Sequence, residues 1–238
     1  MADGDQRFLD PKGRSHADAM AALPADHWER LVAVCELTGA GAVLDVACGS
    51  GDWLVALAAT NERVVGVDAD PDMLELAHAR TAAAHNVELR QMRAEQLDFA
   101  DGAFDALTCF TALPYLEQSV AIREMARVLE PGGKLVLGTV GTGYYAKHAA
   151  EGIRHRDRDT VRYGLDPILV SAGRTVRGDR FALGALRVWG PRSVRRLLEG
   201  EGLEVTQIAY DPAPVDPTWP RTFLGQPLYV IAHATKRA

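Results

Sequence analysis

Asp45-Val46-Ala47-Cys48-Gly49-Ser50-Gly51-Asp52-Trp53-Leu54 is the stretch whose reading decides the fold. It begins inside an apolar run at 42–47, turns at two glycines, and resumes with Trp53, Leu54, Leu57 and Ala58 at helical spacing. A strand that enters a tight glycine turn and leaves as a helix opens an α/β unit. The glycines let the backbone turn and approach a ligand at the carboxyl end of the strand.

Outward from this turn, apolar runs alternate with helical patterns. Segments 42–47, 63–68, 87–92, 104–110 and 134–140 read as short strands, several of them apolar on both faces. Such strands belong to a parallel sheet covered on both sides. Met73, Leu74, Ala77 and His78, then Ile122, Met125, Ala126 and Leu129, mark crossover helices. Asp70 followed by Pro71 is an N-cap with proline at the first helical position, and Glu130-Pro131-Gly132-Gly133 is a helix stop before the next strand. Repetition of strand, helix and strand predicts a doubly wound sheet. Residues 17–37 read as a helix broken or kinked at Pro24, 141–190 as an insertion with helical fragments, 191–201 as a helix, and 203–210 and 227–234 as strands joined by a Pro-rich loop. The expected layout is a single domain: an N-terminal helical cap at 1–40, a core at 41–140, a lid insertion at 141–190, and a last helix with two strands at 191–238.

Composition narrows the class. In 238 residues, three scattered cysteines (Cys35, Cys48, Cys109) without a CxxC or a Cys/His pair at ligand spacing exclude a disulfide framework or structural zinc, and no metal site is expected. The start MADGDQRFLD lacks the apolar core of a signal peptide, and no apolar run nears ~18 residues, so we expect a cytoplasmic protein with no membrane segment. Net charge is -6. Residues 1–150 hold 12 Lys and Arg against 22 Asp and Glu, whereas 151–238 hold 14 against 10. The run Arg154-His155-Arg156-Asp157-Arg158-Asp159 alternates in sign and reads as a solvated or self-paired helix face. Without interleaved aromatics or a basic total it does not predict nucleic-acid binding.

Details around the glycines discriminate among cofactors. A dinucleotide fingerprint needs a third glycine where this chain has Leu54, and Asp52 next to the second glycine disfavours a phosphate. Asp45, on the strand itself, suits a ligand carrying positive charge. Asp68, at the end of the second strand, can take both hydroxyls of a ribose. That contact is common to nicotinamide and adenosyl cofactors.

In this order the motifs resemble the class I S-adenosylmethionine-dependent methyltransferases, in their small-molecule branch. VLDVACGSGDW is similar to that family's first motif, VVGVDADPDML to its second, MRAEQLDFADGAFDALTCFTALPYLE to the adenine loop and fourth strand, and RVLEPGGKLVLGT to the entry of the fifth strand. The resemblance covers 42–140 strongly and the last two strands weakly. It implies a Rossmann-like, mostly parallel seven-stranded sheet with an antiparallel last strand, an N-terminal helical cap and an insertion after the fifth strand. It further implies S-adenosylmethionine as cofactor, with S-adenosylhomocysteine as product. Asp45, Ala47, Gly49 and Gly51 would line the methionine moiety and Asp68 the ribose. Ala69 and Met73 would cover the adenine, with Ala94 and Glu95 at its edge. Cys109 and Phe110 would reach the amino-acid end through backbone. Two departures stand out: Arg93 replaces an acid common before the Ala-Glu pair, and Leu113-Pro114-Tyr115-Leu116 replaces a segment in which many relatives carry histidine.

Methyl transfer from a sulfonium is a direct displacement. Positioning can supply roughly 7–11 kcal/mol of its barrier, and a general base a further ~10²- to 10⁴-fold where the nucleophile carries a proton. Candidates for that base lie over the carboxyl ends of the strands: His16 and His27, then Tyr144, Tyr145, His148 and His155, with Trp219 and Arg221 as pocket wall. His16, Tyr145 and His148 lead this set, although a surface or structural role is the plainer reading of any single histidine. We expect a small-molecule acceptor methylated at oxygen or nitrogen, as in secondary metabolism, by a monomer or homodimer. Rival readings are carbon methylation of a quinone-like ring, a nicotinamide-dependent oxidoreductase, and a non-catalytic cofactor-binding protein.

Overall fold

The computed structural model describes residues 26–171, 190–209, 222–224, 226–227 and 229–237. Seven strands form one sheet: β1 (Ala42–Val46), β2 (Arg63–Asp68), β3 (Val87–Gln91), β4 (Phe104–Phe110), β5 (Leu129–Val140), β6 (Leu203–Ala209) and, after a two-stranded hairpin of β7 (Thr222–Phe223) and β8 (Gln226–Pro227), β9 (Tyr229–Lys236). Their order is β3-β2-β1-β4-β5-β9-β6. Pairings among β1 to β5 are parallel, while β9 runs antiparallel to both β5 and β6. The expected doubly wound sheet with an antiparallel last strand is therefore present, with that strand inserted between β5 and β6. The short hairpin lies in the stretch that the sequence offered only as a Pro-rich loop.

Alternation along the strands distributes their side chains between two cores. On one face Leu44, Val46, Val65, Val67 and Leu107 pack with Ile122 and Met125 of α4 (Gln118–Val128) and Val194 and Leu198 of α7 (Pro191–Gly200). On the other, Val43, Val64 and Ala106 pack with Leu31 of α1 (His27–Val34), Trp53, Leu54 and Leu57 of α2 (Asp52–Ala58), and Leu74 and Ala77 of α3 (Pro71–Thr81). Two buried faces explain why β1 and β2 read as continuous apolar runs rather than alternating ones. Leu54 packs here because β2 offers Gly66: a Cβ at that position would lie 2.7 Å from the Leu54 side chain and 2.8 Å from Leu89. The clearance that a dinucleotide fingerprint obtains from a third glycine on the helix comes in this protein from a glycine on the strand.

Asp70 caps α3 as expected, its side chain accepting from the Asp72 N–H at 2.9 Å, with Pro71 at the first helical position. The Glu130–Gly133 stop behaves differently from the simple turn expected of it. Leu129 already pairs with Phe104, and the four residues then bulge out before Lys134 resumes opposite Ala106. Of the N-terminal cap, the described part is α1; residues 17–25 lie outside the described residues. The insertion contributes α5 (Thr142–His155) and α6 (Arg158–Ser171), folded as a hairpin through Arg156 in the left-handed region. Residues 172–189 of the insertion lie outside the described residues.

Candidate active site

The glycine turn sits between the carboxyl ends of β1 and β2, and its shape is set by left-handed backbone at Ala47 (φ 57°), Gly49 (φ 53°) and Gly51 (φ 79°). Ala47 holds this conformation without the relief that glycine offers, a local strain of a kind that concentrates at ligand sites. Gly51 has a second constraint: a Cβ there would stand 3.0–3.1 Å from Ala77, so α3 presses directly on the turn. The Cys48 N–H donates to the Val67 carbonyl at 3.0 Å, tying the turn to β2.

Two carboxylates flank this turn. Asp68 accepts the Gly49 N–H on one oxygen at 2.8 Å and the Asp70 N–H on the other at 2.9 Å. Each oxygen keeps a lone pair, so the carboxylate is both locked in place and able to accept two hydroxyls. Asp45 is 3% exposed and accepts the Thr108 hydroxyl at 2.7 Å, a pair that the parallel register sets by placing Asp45 directly opposite Thr108. Burial pushes its pKa up to about 7; the Thr108 bond pulls against this, and the neighbouring charges of Asp68 and Asp52 add to it. A buried carboxylate so placed is stabilised by an incoming positive charge.

An aromatic wall completes this side. Trp53 packs on Phe110 with ring centroids 4.4 Å apart and on Trp28 of α1 at 5.6 Å. Gly138 makes the room, since a Cβ there would meet the Phe110 ring at 2.4 Å. The Trp53 indole N–H is buried and finds no acceptor among the described residues. Taken together, a carboxylate with two lone pairs to offer, a second carboxylate buried by a glycine turn, and an orphaned donor fit an adenosyl amino acid, which brings hydroxyls, a cation and acceptor oxygens.

Other residues singled out in the sequence fall as follows. Ala69 follows Asp68 and is exposed, its carbonyl accepting from Gln91 at 3.2 Å, and Met73 lies half-buried in the first turn of α3. Ala94 is buried. Glu95, expected at the adenine's edge, has its carboxylate engaged: one oxygen accepts the Glu117 N–H at 2.9 Å and the other lies 3.3 Å from Arg93. Its described contacts make it a staple between the adenine loop and the start of α4. Cys109 is fully buried in the core facing α4, with its thiol pushed up by desolvation and by Asp45 and Asp68, so only its backbone can serve a ligand. Asp52 is also not the bare anion that the sequence suggested: Arg80 pairs with it at 2.5 Å.

Of the base candidates, His16 lies outside the described residues, as do Trp219 and Arg221. His27 is buried edge-on against Trp28. His155 is exposed at the end of α5 beside Arg154, so the alternating run spans a helix end, a turn and a second helix start rather than one helix face. Tyr145 and His148 fall in a cluster of rings that also includes Tyr144, Tyr163 of α6 and Tyr229 at the start of β9, with centroids 4.5–6.4 Å apart. Tyr145 is 4% exposed, and desolvation followed by Tyr115 and Tyr144 pushes its phenol up. It can donate a hydrogen bond near neutral pH but holds its proton too tightly to act as a base. His148 faces Glu151, Nδ1 to carboxylate 3.7 Å. Sequence reasoning missed Thr108, Tyr163, Tyr229 and Arg80. Thr108 could have been found from the β1/β4 register, whereas nothing in sequence order links Arg80 to the turn.

Among the described residues no group of three His, Cys, Asp or Glu could hold a metal, and no helix is long and apolar enough to cross a membrane. Comparison with known proteins agrees with this geometry. Residues 43–133 match the methyltransferase domain family. The demethylmenaquinone methyltransferase of Staphylococcus aureus (strain MRSA252) is 41% identical over 97 residues, 39% of this chain and 40% of that enzyme. The chain thus spans about 40% of the length of the curated relatives it matches. Among solved structures, a putative methyltransferase (BH2331) from Bacillus halodurans superposes with a TM-score of 0.62 at 20% identity over 89% of this chain and 99% of that one. YcgJ from Bacillus subtilis gives 0.60 at 17% over 90% and 100%, and the [4+2]-cyclase SpnF 0.62 at 20% over 96% and 85%. At these identities the likeness is one of fold. Motif order and sheet topology concur with the matched segment, so that over residues 43–133 this chain is similar to the methyltransferase domain family.

Proposed function

We propose that the protein transfers a methyl group from S-adenosylmethionine to an oxygen or nitrogen of a small molecule, acting in the cytoplasm as a monomer or homodimer. The observation that carries this is the pair Asp45 and Asp68 on either side of the glycine turn, one suited to a cation and the other to a ribose. When bound, S-adenosylmethionine supplies a methyl group on a positively charged sulfur, which needs little activation. The chain's own task is then to position an acceptor and exclude water.

The ring cluster of α5, α6 and β9 is the acceptor wall in this reading. Tyr163 and Tyr145 are phenols held protonated by desolvation, and the Tyr144 and Tyr163 hydroxyls lie 3.4 Å apart. They orient the acceptor as neutral donors. His148, steadied by Glu151, takes the acceptor's proton. His16 remains a further candidate for that step. Phe110 and Trp53 cover the amino-acid end of the cofactor site, Ala69 and Met73 its adenine side, and Ala94 the adenine edge.

A second reading, carbon methylation of a quinone-like ring, is favoured by the 41% identity to the demethylmenaquinone methyltransferase. The likeness covers only 40% of that enzyme, and the family match ends at residue 133, before α5 and α6. The cofactor half, rather than the acceptor half, is thus what the family match covers.

The test is turnover with S-adenosylmethionine and a panel of phenols, amines and reduced quinones, following S-adenosylhomocysteine release and a product one methyl group heavier. Heteroatom products from phenols or amines support the first reading; a ring-methylated quinol supports the second. His148→Gln should lower kcat by about 10²-fold or more on a proton-bearing acceptor, and Tyr145→Phe by much less. Equal activity of His148→Gln and wild type would remove His148 from the chemistry.

A further inference from the structure

The glycine turn is held from behind by a side chain that no motif contains. Arg80 lies in the last turn of α3, thirty residues after Ser50. Its Nη1 donates to the Ser50 carbonyl and the Ser50 hydroxyl oxygen, both at 3.0 Å, and lies 2.5 Å from the Asp52 carboxylate. Ser50 in turn donates its hydroxyl to the other Asp52 oxygen at 2.8 Å. Arg80, Ser50 and Asp52 thus close a ring around Gly51. The Arg80 side chain is 36% exposed, but its acceptors are not in solvent, Ser50 being 3% exposed and the Asp52 side chain 16%, so the pair is less screened than one between two exposed side chains.

The same helix presses Ala77 against Gly51, one turn before Arg80, and begins at Asp70, whose N–H binds Asp68. One rigid element therefore touches both ends of the candidate cofactor site: the ribose carboxylate at its N-terminus and the glycine turn near its C-terminus. We propose that Arg80 is a positioning residue for the cofactor, fixing the Gly49-Ser50-Gly51 turn in its binding shape and neutralising Asp52 beside it. This rests on the reading of the turn as the site of the cofactor's amino-acid end. Without Arg80 the left-handed turn loses its brace on the α3 side, and an uncompensated carboxylate stands at the start of α2. The loss falls mainly on the amino-acid end, because Asp68 keeps the Asp70 N–H at the start of α3, outside the turn, and shares only the Gly49 N–H with it.

The experiment compares wild type, Arg80→Ala and Arg80→Lys by calorimetric titration with S-adenosylhomocysteine and with adenosine, which lacks the amino acid, and by steady-state kinetics in S-adenosylmethionine. Arg80→Ala should weaken S-adenosylhomocysteine by roughly 10- to 100-fold, the range that losing a supporting partner costs at metal centres, and raise KM with kcat little changed. Adenosine affinity should stay within about twofold. Arg80→Lys, which keeps a charge opposite Asp52 but on a shorter side chain with a differently placed nitrogen, should fall between. Denaturant unfolding without ligand serves as the check on folding. Unchanged S-adenosylhomocysteine affinity in Arg80→Ala, or equal losses for adenosine and S-adenosylhomocysteine, would overturn the proposal. Should wild type bind neither ligand, it is the cofactor reading itself that fails.

Discussion

Asp45 shows how one residue can be both a stability liability and a binding asset. Its pKa in the folded chain is raised to about 7, against an ordinary 3.8. The folded state therefore holds a proton that the unfolded chain has released, and stability from this group is fully present below pH 4 and lost as pH rises through 7. Unfolding by urea between pH 5 and 8 should show a decline of up to about 1.4 kcal/mol per pH unit from this residue. Asp45→Asn, which can still accept from Thr108, should flatten that slope; an unchanged slope would show that Asp45 is not its source. A cation bound beside Asp45 favours the ionised form, so S-adenosylmethionine binding near pH 6.5 should release protons. Titration in buffers of different ionisation enthalpy measures this release. Much of this residue's meaning was legible in the sequence, because an acid four positions before a glycine turn stands out in an apolar strand. Its partner Thr108 was not, since their meeting depends on the pairing of β1 with β4.

Among the elements, β1 to β5 and the helices between them were readable because burial on both faces leaves continuous apolar runs, and because Asp70-Pro71 is unambiguous as a helix start. The insertion was readable only as helical fragments. Its architecture depends on two glycines whose role appears only in contact: a Cβ at Gly164 would lie 2.4 Å from the Ala149 nitrogen and the Tyr145 oxygen, and one at Gly152 would lie 2.5 Å from the Val161 nitrogen. Backbone on backbone leaves no flexible side chain to yield. Gly164→Ala should therefore cost about 1–3 kcal/mol or more by overpacking and raise hydrogen exchange in α5 and α6. S-adenosylhomocysteine affinity should change less than tenfold, because the glycine turn and Asp68 lie on β1 and β2. Wild-type exchange rates in the hairpin would contradict the close packing. The aromatic cluster follows from the same hairpin: Tyr144, Tyr145 and His148 share α5, but Tyr163 and Tyr229 come to them only when α6 folds back and β9 pairs with β5.

For the whole molecule, the sheet order divides the work. β1 and β2 carry the glycine turn and both carboxylates, while β5 and β9 carry the segments that bring the tyrosines together. The first set is dense in glycine and acid at fixed spacing and is legible from sequence. The second is built from commonplace aromatics whose meaning lies in tertiary contact, which is why the cofactor can be read and the acceptor cannot. Fold alone does not fix chemistry, as the superposition on a [4+2]-cyclase illustrates. The central claim is the cofactor, and thermal unfolding with S-adenosylmethionine, S-adenosylhomocysteine or NAD(H) in large excess tests it most directly. A ligand at ~100 times its Kd adds about 2.7 kcal/mol, which for a chain of this size should raise Tm by roughly 5–11 °C. That rise is expected with the two adenosyl ligands and not with NAD(H); a rise with NAD(H) alone would contradict S-adenosylmethionine as the cofactor.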